Sequence, residues 1–304
     1  MTTTTLRFPS AGGGTVHAVM VAPAGTPKAT VQFVHGMAEY IERYLPTMQA
    51  LADAGYLCMG HDHFRHGKSV NDEKDLGHLD FKHGATHMIT DVKTVADYLK
   101  ETYPDIPHVL FGHSMGSFVV RCVAARFQDM FDGLIVCGTG GPNPALGAGK
   151  TLAATLRAAK GERGYSPFLY KMMFGAYNAR CRETTDFAWL SVDPANVDTY
   201  EADHLCGFPF TIGGIHSLLN VHGEANSKAC FAATPKDLPV LLIAGADDPV
   251  GEYGDGVKTV FGEYKRAGVK KVTLKLYADC RHEILNDVYK QRVINDMLDF
   301  LTEI

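Results

Sequence analysis

A serine held between two glycines is the first arrangement in this chain that could do chemistry. His108–Gln128 reads HVLFGHSMGSFVVRCVAARFQ and sets Ser114 between Gly112 and Gly116. An apolar run, Val109–Phe111, leads into it, and a segment of helical pattern starts near Met115. That strand–turn–helix setting is the context a nucleophile elbow requires. Glycines suit both flanks because the turn is tight and the backbone passes close to its neighbours. The hydroxyl would stand at a helix N-terminus, where backbone N–H groups favour a developing negative charge.

A serine hydroxyl attacks only when a base takes its proton and an acid orients that base. On a sheet with such an elbow, the order along the chain is Ser, then Asp or Glu, then His. Downstream, Gly245-Ala246-Asp247-Asp248-Pro249 follows one apolar run, and Ala278-Asp279-Cys280-Arg281-His282-Glu283 follows the next. Ser114, Asp248 and His282 fall in the required order, each just after a strand, where α/β sheets place their ligands. Asp247 and Asp279 are rivals for the acid. Backbone donors for a tetrahedral oxygen would be the N–H of Met115, directly after the serine, and that of Met37 in the loop Val34-His35-Gly36-Met37-Ala38-Glu39. A second arrangement competes. His61-Asp62-His63-Phe64-Arg65-His66 has a His-x-His-x-x-His spacing used by metal-dependent hydrolases. Arg65 stands where such sites usually carry an acid, and its charge would repel a cation, so no metal and no cofactor is expected.

The elements that must position these residues follow from periodicity. Short apolar runs, Val16–Val21, Thr30–Val34, Tyr56–Gly60, His108–Phe111, Leu134–Cys137, Pro239–Ala244 and Val272–Tyr277, alternate with helical segments. This predicts an α/β fold with a mostly parallel sheet and helices on both faces. Met88, Val92, Val95 and Leu99 mark one helix stripe; Val293, Met297, Phe300 and Leu301 mark another. Leu45–Ala54 makes a third helix, with Pro46 in its first turn and Gly55 as its stop. From Gly138 to Asp237, 100 residues separate two strands where a few tens suffice. The expected division is therefore a core of 1–137 and 238–304 and an inserted helical cap, 138–237. Tyr165 to Ile215 holds ten aromatics in 51 positions. Phe168, Met172, Phe174 and Trp189 are expected to line an apolar acyl pocket, beside a plain structural role in the cap's own core.

The 304 residues carry 29 Lys+Arg against 34 Asp+Glu, a formal −5, with no long block of like charge. A nucleic-acid surface or a polybasic membrane patch is thus disfavoured, and a small-molecule substrate fits better. The N-terminus lacks the basic and apolar regions of a secretory signal, and no run could span a bilayer. Seven scattered cysteines without a CxxC pair read as reduced thiols, giving a cytoplasmic expectation. An aromatic cap also suits transient contact with a membrane surface.

HGMAEYIERY at His35–Tyr44, GHDHFRHGKS at Gly60–Ser69, GHSMGS at Gly112–Ser117, AGADDPV at Ala244–Val250 and YADCRHEILND at Tyr277–Asp287 together resemble the α/β-hydrolase superfamily. They look most like its monoacylglycerol lipase and lysophospholipase branch. The resemblance implies the α/β-hydrolase fold, Ser114 as nucleophile, His282 as base, Met37 and Met115 as oxyanion donors, and Asp248, the acid before Pro249, over Asp247. The expected activity is cleavage of carboxylic esters through an acyl-enzyme, on monoacylglycerol, lysophospholipid or other medium-to-long acyl substrates. A short-chain or aromatic-acid carboxylesterase, or a thioesterase, uses the same machinery; a metal-dependent hydrolase on His61, His63 and His66 and a silent binding scaffold are the alternatives of other classes.

Overall fold

The structure, a computed structural model, describes all residues from Met1 to Ile304. One sheet is built from β1 (Thr2–Pro9), β2 (Thr15–Ala22), β3 (Thr30–Val34), β4 (Leu57–His61), β5 (His108–His113), β6 (Gly133–Cys137), β7 (Val240–Gly245) and β8 (Val272–Tyr277). The helices are α1 (Leu45–Asp53), α2 (Gly84–Thr102), α3 (Met115–Arg126), α4 (Leu146–Lys160), α5 (Pro167–Phe174), α6 (Pro194–Ala202), α7 (Ile212–Ala225), α8 (Lys228–Ala233), α9 (Asp255–Arg266) and α10 (Lys290–Leu301). In space the strands run β1-β2-β4-β3-β5-β6-β7-β8. β1 and β2 form an antiparallel hairpin, β2 meets β4 antiparallel, and all pairs from β4 to β8 are parallel.

The central strands read as continuous apolar runs because both faces are covered. Leu110, Leu134, Val136, Val240 and Leu242 pack with α2, α3, α7 and α9 on one face. Their neighbours Val109, Phe111, Ile135, Leu241 and Ile243 pack with α1 and α10 on the other. The stripe on α2 divides: Met88 and Val92 join the first face, while Val95 and Leu99 pack with Phe8 and Val16 of the hairpin and Leu57 and Met59 of β4. α1 starts with Pro46 in its first turn and stops at Ala54, after which Gly55 takes φ +97°.

β1 is absent from the strands expected of the sequence. Its Thr2–Thr5 are exposed and only Phe8 is buried, so an edge strand stands there without the apolar alternation that marks the others. Between β6 and β7, α7 packs on α2 and α3, α4 lies on α7, and α5 lies on α4, which builds a stack outward from the sheet. No helix is long and apolar enough to cross a membrane.

Candidate active site

Ser114 joins β5 to α3 at φ 53° and ψ −121°, a conformation costly for a residue with a Cβ. The turn is held from three sides. Its N–H donates to Cys137 O on β6 at 3.0 Å, and its carbonyl accepts the Ser117 N–H at 2.9 Å and the Ser117 hydroxyl at 2.5 Å. A Cβ on Gly116 would lie 2.2 Å from Val34 O and 2.5 Å from His35 O, so only glycine lets α3 begin against the end of β3.

His282 follows β8 and Asp248 follows β7, which lie side by side in the sheet. His282 Nδ1 and Asp248 Oδ2 are 2.9 Å apart and both side chains are buried. The other carboxylate oxygen of Asp248 accepts the Val250 N–H at 2.8 Å. This geometry makes Nδ1 the protonated nitrogen and leaves Nε2 with a lone pair. No protein group bonds Nε2. The ring is held between His113 and Trp189, at centroid distances of 4.6 and 5.0 Å. Asp247 and Asp279 are exposed and bond no ring nitrogen of His282.

The loop after β3 lies against Ser114: a Cβ on Gly36 would come within 3.1 Å of the serine Cβ. Neither the Met37 N–H nor the Met115 N–H is engaged by a protein acceptor. Ala38 turns the loop at φ 53°, and its carbonyl accepts the Tyr200 hydroxyl at 3.0 Å and the Gly207 N–H at 2.9 Å. Glu39 bonds the Gly36 N–H at 2.6 Å and the Tyr44 hydroxyl at 2.8 Å. Burial works against its charge, yet the His113 hydrogen bond and Arg43 hold its carboxyl well below the usual range. His113 responds in kind: burial opposes the imidazolium, but Glu39 lifts its pKa above the ordinary value. Glu39, Arg43 and Glu283 lie inside the sequence motifs, where their spacing marks no role for them. Their partners lie up to 240 positions apart, a separation that leaves no local spacing to recognise.

Ser114, Met37, Met115, His282 and Pro249 line one cavity of about 1010 Å³, at the upper limit of small-molecule sites. Met172, Phe174 and Trp189 line it too. An aromatic series, Tyr170, Phe174, Tyr177 and Trp189, runs in successive ring contacts of 4.7, 5.6 and 4.9 Å toward His282. Phe168 corrects the expectation: α5 turns it outward, 67% exposed and outside the cavity lining. It precedes Met172 by four positions, so both lie on the same helical face, but Met172 sits at the rim.

The imidazoles of His61, His63 and His66 are buried with that of His35 and pack edge to face rather than converging. No group of three donors in the chain is arranged to hold a metal. The His63 N–H donates to His35 Nε2 at 2.9 Å, and His63 Nε2 donates to His35 O at 3.1 Å, which ties the loop after β4 to the loop after β3. Burial pushes His61 and His66 down to about 3 and His63 to about 4, so all three are neutral.

A family model described as serine aminopeptidase, S33, matches residues 25–289. A monoacylglycerol lipase of Mycolicibacterium smegmatis is 25% identical over 97% of this chain and 95% of its own length. The monoglyceride lipase of Mus musculus is 28% identical over 86% of this chain and 77% of its own. Among solved structures, a thermostable carboxyl esterase from Bacillus coagulans in complex with glycerol superposes with a TM-score of 0.93 at 31% identity, covering 100% of this chain and 99% of the other.

Proposed function

The chain belongs to the serine aminopeptidase S33 family of α/β-hydrolases, and from that premise we propose that it is a serine hydrolase cleaving monoacylglycerols or similar medium-to-long acyl esters through an acyl-enzyme. The single observation that carries this reading is the pairing of His282 Nδ1 with buried Asp248 on a cavity that also holds Ser114 at a strained elbow. Ser114 Oγ attacks the ester carbonyl while His282 Nε2 takes its proton. Met37 and Met115 N–H groups receive the tetrahedral oxygen, each donor contributing about 3 kcal/mol to the barrier reduction. The protonated His282, its charge favoured by Asp248, then protonates the departing alkoxide, and water returns by the same route to release the acid. An ester hydrolase is also what the related lipases and esterase are named for.

The aromatic lining from Tyr170 to Trp189 supports an acyl chain. Ser114→Ala should lower kcat by several powers of ten with an unchanged melting temperature. Retention of most esterase activity would remove the mechanism. Profiling p-nitrophenyl esters from C2 to C16 beside monoacylglycerol tests the substrate: a maximum at the shortest chains favours the short-chain carboxylesterase reading.

The helices over the cavity are also proposed to touch a lipid surface transiently. Residues 146–182 hold seven Lys and Arg against the single acid Glu162, in a chain whose net charge is −5. Tyr165, Phe168 and Met172 are exposed among them. The seven cysteines are free thiols, six of them buried, which supports a reducing, cytoplasmic setting.

A further inference from the structure

Three segments distant in sequence meet at Arg43. Its guanidinium bonds Glu39 at 2.9 Å and grips both oxygens of Glu283 at 2.6 and 2.8 Å, and all three side chains are less than a tenth exposed. Each acid is one step from a group the reaction would use. Glu39 holds the Gly36 N–H, the peptide before Met37; Glu283 is the residue after His282. The third segment is the covering helix α6 and the turn before it. Asn196 donates to Glu283 at 2.7 Å, the Tyr200 ring lies 4.9 Å under the guanidinium, and the Glu283 N–H donates to Leu190 O at 2.7 Å. His113, beside the serine, completes the circuit by joining Glu39 to the His282 carbonyl, 3.2 Å from its Nε2.

Stability alone is a poor account of such a cluster. A buried ion triad gains little over well-packed apolar residues of the same volume, whereas breaking it leaves an uncompensated charge. What the ions supply is a fixed geometry, since a bidentate guanidinium admits one arrangement of its two carboxylates. We propose that Arg43 is a positioning residue that joins the loop after β3, the loop after β8 and α6 into one unit, so that the oxyanion donor and His282 come into register only when α6 is seated. The proposal rests on the reading of Ser114, His282 and Met37 given above. Its consequence is that closing the cavity and assembling the reacting groups are one event.

The test compares Arg43→Met, Arg43→Lys and Asn196→Leu with the wild type, by kinetics on p-nitrophenyl butyrate and by amide hydrogen exchange. Arg43→Met should lower kcat about 10- to 100-fold while KM changes less than about threefold, as expected for misplacement on the ångström scale. Exchange should rise together in 35–39, 282–284 and 190–200. Arg43→Lys, which keeps the charge but loses the fork, should fall between. Asn196→Leu, which touches no reacting group, should show the same pattern more weakly and add nothing to Arg43→Met in the double variant. A kcat within twofold of wild type in folded Arg43→Met, a rise in exchange confined to one segment, or fully additive losses would overturn the proposal. If Arg43→Met does not fold, the Lys and Leu variants decide by the same criteria. Exchange is read without regard to which residue attacks. An active Ser114→Ala enzyme would therefore count against the site reading alone, and the exchange pattern would still judge the coupling.

Discussion

Asp248 is buried with both oxygens engaged, one by His282 and one by the Val250 N–H, whereas Asp247 beside it is exposed. Asp248→Asn should therefore lower kcat about a thousandfold or more by presenting an amide to Nδ1 and favouring the wrong tautomer. Asp247→Asn should change it less than about threefold; steady-state kinetics on one ester separates the two, and equal losses would reopen the assignment. At this scale the sequence was legible where chemistry leaves a short signature. The glycines around Ser114 and the Ser, Asp, His order could be read directly, but the choice between adjacent aspartates came from family resemblance. The role of Arg43 was invisible, because a guanidinium between two acids is a fact of three-dimensional proximity. Phe168 was misplaced for a related reason: composition reports how many aromatics a segment holds, and the rotation of α5 decides which of them face the cavity.

At the scale of the element, the elbow depends on α3 starting in backbone contact with the end of β3. Gly116→Ala should be incompatible with that contact, since Val34 O ends a strand of the sheet and His35 O is held by His63 Nε2, and backbone carbonyls cannot turn away as a side chain would. The expected result is a loss of roughly 2–4 kcal/mol in denaturant unfolding, together with loss of activity. A Gly116→Ala protein of native stability would show that the contact is softer than its geometry. The central parallel strands were readable because burial on two faces makes them largely apolar, and α2 was readable from its 3.6-residue period. β1 was not, because an exposed edge strand of threonines satisfies its backbone through pairing with β2 and needs no apolar face. The long interval between β6 and β7 announced itself by length, yet nothing in it told that α7 would pack on α2 and α3 while α5 lies outermost.

At the scale of the whole molecule, burial sets the state of many of its histidines. His35, His61, His63, His66, His108 and His222 are all held below their ordinary pKa, with burial the leading cause in each. The unfolded chain takes up protons near pH 6.5 while these folded groups resist until about 3 or 4 where the value is defined. Their stabilisation is thus complete above 6.5 and is lost as pH falls, by up to about 1.4 kcal/mol per pH unit per histidine. Asp62, raised by burial to about 7, Asp91, raised to about 6, Asp287, also raised by burial, and His113, raised by Glu39 against its burial, act in the opposite sense, but the lowered histidines outnumber them. Thermal unfolding should show a steep fall in Tm between pH 6.5 and 4.5; a flat profile would contradict the neutral cluster. The uneven charge gives a second prediction. Sedimentation with anionic vesicles should exceed that with neutral ones, weaken with salt, and drop on Phe168→Ser with Met172→Ser, each lysine near the surface contributing about 1 kcal/mol. Equal binding to both lipids would remove the electrostatic part. Finally, the ring that ends the aromatic series beside His282 belongs to the only tryptophan in the chain. Protonated imidazole quenches indole emission, so the protein carries a built-in optical reporter next to its proposed base. The arrival of a substrate and the displacement of the covering helices can both be followed in unlabelled protein, in real time, through the light of a single residue.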